Sequence, residues 1–294
     1  MGADRWRLLV LAHVLVATPR VASDASEAEL ARVRGKREYL ASDLQFLHIP
    51  KNAGGSIEAM VGKTCAPIRA ADAVQCFHAG SRGSLPAKAG VACSAWHVPP
   101  RLLRPNPYVA ARTWCVVRHP LDRALSSFKM AHAARPDAGA ALANEWLLRF
   151  YSRLKFSPPW DDELGEPKRS APWIADDCHH LPQAAYVWDA AGARTCGRAL
   201  RFERLGEEFD RLMRSRNVSF AWGRAARVRH HGTTNVTTAD LAPRVRALIE
   251  HVYLDDFCRL GYPTEFANCT GASGGAALRD PPAEGPERAK RGDG

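Results

Sequence analysis

Residues 44–56 of this chain are Leu44-Gln45-Phe46-Leu47-His48-Ile49-Pro50-Lys51-Asn52-Ala53-Gly54-Gly55-Ser56, and they decide its fold. The first six form a compact apolar run that ends at a proline, which is typical of a buried strand. The polar turn that follows opens a helix-compatible segment. This order of strand, turn and helix gathers backbone N–H groups and the positive end of a helix around one point, where phosphate can bind.

The same order of elements occurs a second time along the chain. The apolar run Thr113–Val117 stops at Arg118-His119-Pro120, and a helix-compatible segment covers residues 121–134. The remaining patterns predict helices over 141–154, 183–190, 206–214 and 239–257, and a strand over 199–202. This alternation predicts an α/β fold in which helices flank a central, mostly parallel sheet.

The N-terminus has the layout of a secretory signal. Arg5 and Arg7 precede an apolar run from Leu8 to Ala17, and small residues follow. The uncharged stretch is shorter than the roughly 17 residues that a membrane-spanning helix needs, which favours a cleaved signal. A short signal-anchor stays open as the alternative.

Length and composition predict one folded domain with tails. The chain has 294 residues, 46% of them hydrophobic and 24% charged, which is ordinary for a globular domain. The predicted parts are a signal peptide or short signal-anchor (1–23), a charged stem (24–43), the folded domain (44–270) and a disordered tail (271–294).

The eight cysteines are expected to pair in part, because a secretory signal implies an oxidising compartment. The close pairs Cys178/Cys196 and Cys258/Cys269 are the expected disulfides. Cys115 lies inside the apolar run of the second strand, where we expect a buried free thiol.

A formal net charge of +10 indicates an anionic partner. That partner could be a nucleotide cofactor, a sulfated or uronic-acid polysaccharide, or nucleic acid. The three sequons at Asn217, Asn235 and Asn268 agree with a secretory address. This compartment argues against nucleic acid as the partner.

The turn of the first unit carries groups suited to a phosphate. Lys51 supplies a mobile positive charge, Gly54 and Gly55 permit a tight turn, and Ser56 can donate a hydrogen bond. The alternative is a plain strand-to-helix turn that contains glycine. A Walker A loop is excluded because Lys51 precedes the glycines instead of following them.

The turn of the second unit offers a complementary pair. The planar guanidinium of Arg118 can hold a phosphate with two hydrogen bonds, and Ser126 on the following helix can complete the contact. Taken singly, Arg118 could be a surface ion-pair partner and Ser126 part of an exposed helix face.

Together the two units resemble the carbohydrate sulfotransferases that use 3′-phosphoadenosine 5′-phosphosulfate (PAPS). Residues 48–57 resemble their 5′-phosphosulfate loop, HIPK-[TN]-[AG]-G-[TS]-S, and residues 117–128 resemble their 3′-phosphate motif, VR-[DHN]-P-x-x-R-x-x-S-x-[FY]. The resemblance implies a P-loop-like sulfotransferase fold, PAPS as cofactor, a carbohydrate acceptor and the Golgi lumen. The implied cofactor-binding residues are Lys51, Asn52, Ala53, Gly54, Gly55, Ser56, Ile57, Arg118 and Ser126.

The same resemblance implies a catalytic base and an acceptor region. His97 is placed like the base of the uronosyl 2-O-sulfotransferase branch, and Lys51 is the implied electrostatic catalyst. Residues 178–183 and 201–205 are similar to patterns of chondroitin-type and algal relatives on the acceptor side. The rivals for the base are Glu58, His78, His119 and His179.

Three interpretations stay open beside these. The basic stretch 224–231 could close over the nucleotide as a lid or be a solvated loop. Zinc binding by Cys178, His179 and His180 is disfavoured, because adjacent histidines rarely share one metal ion, and no metal site is expected. A nucleotide-dependent kinase and a non-catalytic polysaccharide-binding protein are the alternative functions.

Overall fold

The computed structural model describes most of the predicted domain and only isolated residues outside it. The described residues are 42–61, 69–70, 73–74, 97–102, 108–135, 137–155, 176–219, 221–225 and 234–266, with single residues at 34, 38, 39, 106, 173, 268, 269 and 278. The predicted signal, most of the stem, most of the tail, His78 and residues 226–231 of the basic stretch 224–231 lie outside them. Tyr39 from the stem and Leu278 from the tail are both buried against the domain.

A small parallel sheet forms the centre of the molecule. Its strands are β1 (Gln45–Leu47), β4 (Thr113–Val117) and β5 (Arg198–Arg201), with β4 in the middle. Phe46 pairs with Trp114, and Val117 pairs with Arg201. Because all three strands run the same way, their carboxyl ends meet at one edge, as expected for strand–turn–helix units.

A second, two-stranded pairing is antiparallel and separate from the main sheet. It joins β2 (Arg69–Ala70) to β3 (Ala73–Val74).

Eight α-helices occur in the described part of the chain. They are α1 (Gly54–Val61), α2 (Pro120–Ala131), α3 (Ala140–Lys155), α4 (Ala184–Val187), α5 (Leu205–Ser215), α6 (Trp222–Ala225), α7 (Pro243–Val252) and α8 (Leu254–Leu260). Short 3₁₀ turns cover Pro100–Leu102, Phe202–Arg204 and Thr238–Asp240. The helix predicted over 239–257 is thus two helices that meet at Tyr253, and the helix predicted over 183–190 is only one turn long.

Helices cover both faces of the sheet, which confirms the predicted α/β class. Successive strand residues point to opposite faces. Trp114 and Val116 pack with Phe209 of α5 in one cluster of buried side chains. Cys115 and Val117 belong to the other cluster, which contains side chains of α2, α3 and α7.

One of the two expected disulfides is confirmed and the other is wrong. Cys258 bonds to Cys269 as predicted, but Cys196 bonds to Cys115 and not to Cys178. Cys115 is therefore no free thiol. The reason is strand register: Cys115 lies opposite Ala199, and Cys196 stands just before that strand, so the two Cα atoms are 6.0 Å apart. Cys178 is also disulfide-bonded.

These disulfides fit a secreted or extracellular protein. Within the described ranges, no helix is both long enough and apolar enough to cross a membrane.

Candidate functional site

A cavity of about 930 Å³ opens at the carboxyl edge of the sheet. The residues that follow each of the three strands contribute to it: Lys51 after β1, Arg118 after β4 and Phe202 after β5. Residues 234–238 also line it. The cavity therefore brings together the two motifs that the sequence predicted to act together.

Most of the predicted cofactor-binding residues line this cavity. They are Lys51, Ala53, Gly54, Gly55, Ser56, Arg118 and Ser126. The other two do not line it. Ile57 is fully buried in the core, and Asn52 is buried beneath the loop.

The first loop turns at residues that are not glycine. Lys51 and Ala53 have φ angles of 69° and 66°, in the left-handed region, whereas Gly54 and Gly55 begin α1 with ordinary backbone. The predicted role of these glycines in the turn is therefore wrong. Gly54 is needed for space, because a Cβ atom there would overlap the imidazole ring of His48. A Cβ atom at Gly55 would meet nothing.

Lys51 lies in a partly buried, electropositive position. Its Nζ donates to Sδ of Met130 at 3.1 Å. Burial lowers the pKa of Lys51 to about 8, and the neighbouring Arg118 adds to the effect. Burial and Arg118 both disfavour the charged ammonium group, and a bound anion would stabilise it.

Arg118 is aimed into the cavity by two contacts. Its guanidinium stacks over the ring of Phe202 at 4.0 Å, and Nη1 donates to the carbonyl oxygen of Lys51 at 3.3 Å. Its Nε is buried and has no hydrogen-bond partner. A buried donor without a partner costs about 1–3 kcal/mol, and a ligand oxygen that accepted a hydrogen bond from this N–H group would relieve that cost.

A buried hydrogen-bond network ties the first loop to the second. The side chain of Gln183 accepts from Asn52 Nδ2 at 2.7 Å and from the backbone N of Arg118 at 2.9 Å, and donates to the Arg118 carbonyl at 2.8 Å. Asp256 accepts from the backbone N–H groups of Gln183 and Ala184. Burial raises the pKa of Asp256 to about 6. Gln183 thus fixes the spacing of the two motifs.

Arg123 of the second motif has a related role that the sequence did not suggest. It is 1% exposed and donates through Nε to the carbonyl of Pro50 at 3.1 Å. Its Nη2 donates to the carbonyls of His179 and Leu181 at 2.9 and 2.8 Å. One side chain on α2 therefore holds both the first loop and the turn of residues 176–181 in place.

Three histidines from separate segments form a cluster beside the basic residues. The ring of His97 contacts the rings of His48 and His179, with centroids 4.9 and 4.8 Å away. Nδ1 of His97 lies 2.7 Å from Oδ2 of Asp177. Burial lowers the pKa of His97 to about 4, although Asp177 opposes the shift. We call His48, His97 and His179 the histidine cluster, and Lys51 and Arg118 the basic cluster.

The rivals for the base lie in different surroundings. Glu58 is hydrogen-bonded to Nδ1 of His48 at 2.6 Å, and His179 belongs to the histidine cluster. His119 serves the fold instead: its ring accepts from the backbone N of Leu121 at the start of α2 and packs against Phe257. His97 lines the cavity and contacts a carboxylate that is remote in sequence, Asp177.

The two residue sets considered for a metal ion differ. Cys178 is in a disulfide, so it cannot act as the thiolate ligand of the disfavoured zinc hypothesis. A different set, His97, Asp177 and His179, offers three ligand atoms that all lie within 4.8 Å of one another. No sequence pattern predicts this set, because His97 is remote from the other two.

No family model, curated protein or solved structure matches this chain.

Proposed function

We propose that this chain is a sulfotransferase that moves a sulfuryl group from PAPS to a hydroxyl group of a carbohydrate, and that its domain has the P-loop-like sulfotransferase fold. The observation that carries the proposal is one cavity lined by both phosphate motifs, the loop of Lys51 and the turn of Arg118. Both motifs therefore face the same space, as binding of a single ligand by the two motifs requires.

The residues of the cavity fit a bisphosphorylated nucleotide. The basic cluster offers two positive groups, and Arg118 Nε is a buried donor without a partner. Ser126 lines the same wall. A volume of about 930 Å³ lies at the upper end of the range for small-molecule sites, which leaves room for a nucleotide and part of a sugar.

The chemistry divides between the two clusters. PAPS, when bound, supplies an activated sulfuryl group whose leaving group is a phosphate. Lys51 stabilises the negative charge that develops on the leaving oxygens, and this interaction is strongest in the transition state. His97 accepts the proton of the attacking hydroxyl.

Asp177 acts as a positioning residue for that proton transfer. When Nδ1 of His97 donates to Asp177, the lone pair of the neutral imidazole is on Nε2. The acidic partner also stabilises the imidazolium that forms once the proton is taken up. Removal of this carboxylate is expected to lower turnover through His97 and not through the cofactor.

The proposed compartment and acceptor rest on disulfides, glycosylation sequons and net charge. The disulfides and the exposure of Asn217, Asn235 and Asn268 support a place in the secretory pathway, and the resemblance supports the Golgi lumen. The net charge of +10 supports a carbohydrate or polysaccharide acceptor that carries acidic groups.

Calorimetric titration with 3′-phosphoadenosine 5′-phosphate tests the proposal. We expect saturable binding that AMP, which lacks the 3′-phosphate, cannot match. Arg118→Ala should weaken that binding by at least about tenfold, since a charged hydrogen bond contributes roughly 1.5–3 kcal/mol. The matched control is Arg149→Ala, on the exposed face of α3.

Each alternative function predicts a different titration. A kinase would prefer Mg-ATP to the bisphosphate. A polysaccharide-binding protein would bind heparin but neither nucleotide. Either result would overturn the proposed function.

A further inference from the structure

His97, Asp177 and His179 are brought together by the fold from two distant segments. Asp177 and His179 stand two residues apart in the turn before α4, and His97 precedes the 3₁₀ turn Pro100–Leu102. One ligand atom from each lies within 4.8 Å of the others. Both histidines line the cavity, so an ion bound to these three residues would lie at the cavity wall.

The turn that carries two of these residues is held in an unusual backbone conformation. Asp176, Asp177 and Cys178 have φ angles of 56°, 57° and 61°, which non-glycine residues adopt at a cost of about 1–2 kcal/mol each. The disulfide of Cys178 and the two hydrogen bonds from Arg123 hold the turn in this form. The turn therefore holds Asp177 and His179 near each other before any ion binds.

A second, independent feature is an imidazole nitrogen that lacks a hydrogen bond. Nδ1 of His179 is inaccessible to solvent and has no hydrogen-bond partner, and its nearest carboxylate oxygen, on Asp176, is 3.4 Å away. A buried polar nitrogen in this state destabilises the fold by about 1–3 kcal/mol. A metal ion bound to this nitrogen would relieve that cost.

We propose that His97, Asp177 and His179 bind one divalent transition-metal ion. Two imidazoles and one carboxylate match Zn²⁺, which takes nitrogen and oxygen ligands at about 2.0–2.2 Å and keeps a fourth position for water. Mg²⁺ and Ca²⁺ fit poorly, because they prefer sites built of oxygen ligands. The short contact between His97 and Asp177 would give way to two bonds with the metal ion.

Bound metal would inhibit the proposed transfer reaction. A neutral imidazole has a single nitrogen lone pair, and a metal ion on either nitrogen consumes it. His97 could then no longer accept the proton of a hydroxyl group. This consequence rests on the proposed function, whereas the binding of the ion does not.

The test is calorimetric titration of the full chain with Zn²⁺ alone, with Mg²⁺ as the comparison ion. We expect one saturable Zn²⁺ site in the wild type. Asp177→Asn and His179→Ala should each weaken it by at least about tenfold, and the surface control His251→Ala should leave it unchanged. Circular dichroism of each variant shows whether it is folded.

Titration of the same proteins with 3′-phosphoadenosine 5′-phosphate separates the two proposals. Arg118→Ala should lose the nucleotide and keep Zn²⁺. A wild-type protein that binds Zn²⁺ but not the nucleotide would overturn the proposed function and leave the metal site supported. Absence of a saturable Zn²⁺ site, or equal Zn²⁺ affinity in folded Asp177→Asn and His179→Ala, would overturn the metal site.

Discussion

The basic cluster and the histidine cluster line the same cavity but are built in different ways. Arg118 directly follows β4 and Lys51 lies in the loop after β1, so sheet topology brings them to one edge. In the histidine cluster, His97 is held by Asp177, which lies 80 residues further along the chain, so this arrangement rests on side-chain contacts. The first arrangement depends on strand order and the second on a specific turn.

This difference suggests that the two clusters can be disabled separately. The basic cluster is fastened by the network of Gln183 and Asp256, and the histidine cluster by the strained turn at 176–178. The loop that carries Lys51 touches the histidine cluster where His48 lies against Gly54. The predictions below either separate the clusters or probe this contact.

The largest effect is expected from His97→Ala. General base catalysis contributes roughly 10²–10⁴-fold to rate, so kcat should fall by about that factor. Affinity for 3′-phosphoadenosine 5′-phosphate should stay the same, because the basic cluster is untouched. Transfer of labelled sulfuryl groups to a panel of carbohydrates measures the first quantity, and calorimetry measures the second.

His251→Ala is the matched control for this variant, since it removes an exposed imidazole from α7. Normal turnover in His97→Ala would exclude His97 as the base. Equal losses of turnover and nucleotide affinity would instead show that the two clusters are not separable.

The sequence predicted the basic cluster well because its residues belong to contiguous motifs. β4 was predicted over the residues that form it, and Arg118 follows it as expected. The role of Gly54 was missed, because no pattern shows that His48 folds back onto it. Asp177 was missed for the same reason, because its partner His97 is remote in sequence. Its left-handed φ could not be predicted either, since no glycine stands at that position.

The disulfide error has the same physical origin. Proximity along the chain suggested Cys178 and Cys196, whereas pairing between β4 and β5 places Cys196 beside Cys115. Contacts set by strand register are decided by the whole sheet, so local spacing cannot predict them. The break of the last helical segment at Tyr253 was likewise absent from its apolar pattern.

A smaller effect is expected from Asp256→Asn, which changes only the hydrogen-bond network that holds the basic cluster in place. The carboxylate accepts from two backbone N–H groups, and an amide NH₂ in its place would leave a donor without an acceptor. The free energy of unfolding should fall by about 1–3 kcal/mol in urea titrations. The exposed control Asp137→Asn should change it by less than about 0.5 kcal/mol.

The same variant should weaken nucleotide binding, because Gln183 would no longer hold Arg118 against the first loop. Zn²⁺ affinity at the histidine cluster should be preserved in the folded protein. Parallel loss of both affinities would contradict the separation of the two clusters.

Gly54→Ala probes the contact between the loop that carries Lys51 and the histidine cluster. The new methyl group would overlap the ring of His48, and overpacking of this kind costs about 1–3 kcal/mol in thermal or urea unfolding. Gly55→Ala is the matched control, since a methyl group there meets no atom. The double variant Gly54→Ala with His48→Ala should recover most of the lost stability. Failure of this rescue would show that the glycine is required for another reason.

The smallest effect is a pH dependence of nucleotide binding that belongs to Lys51. Because the pKa of its ammonium group is about 8, the free protein loses this positive charge as pH rises through 8. The anionic ligand binds the protonated form, so binding above pH 8 must take up a proton. Affinity should therefore be level below pH 7.5 and fall by up to about tenfold per pH unit above 8. Lys51→Arg should bind with little change over this range, because arginine stays protonated. An identical decline of affinity in Lys51→Arg would show that another group takes up the proton and would contradict the role of Lys51 in nucleotide binding.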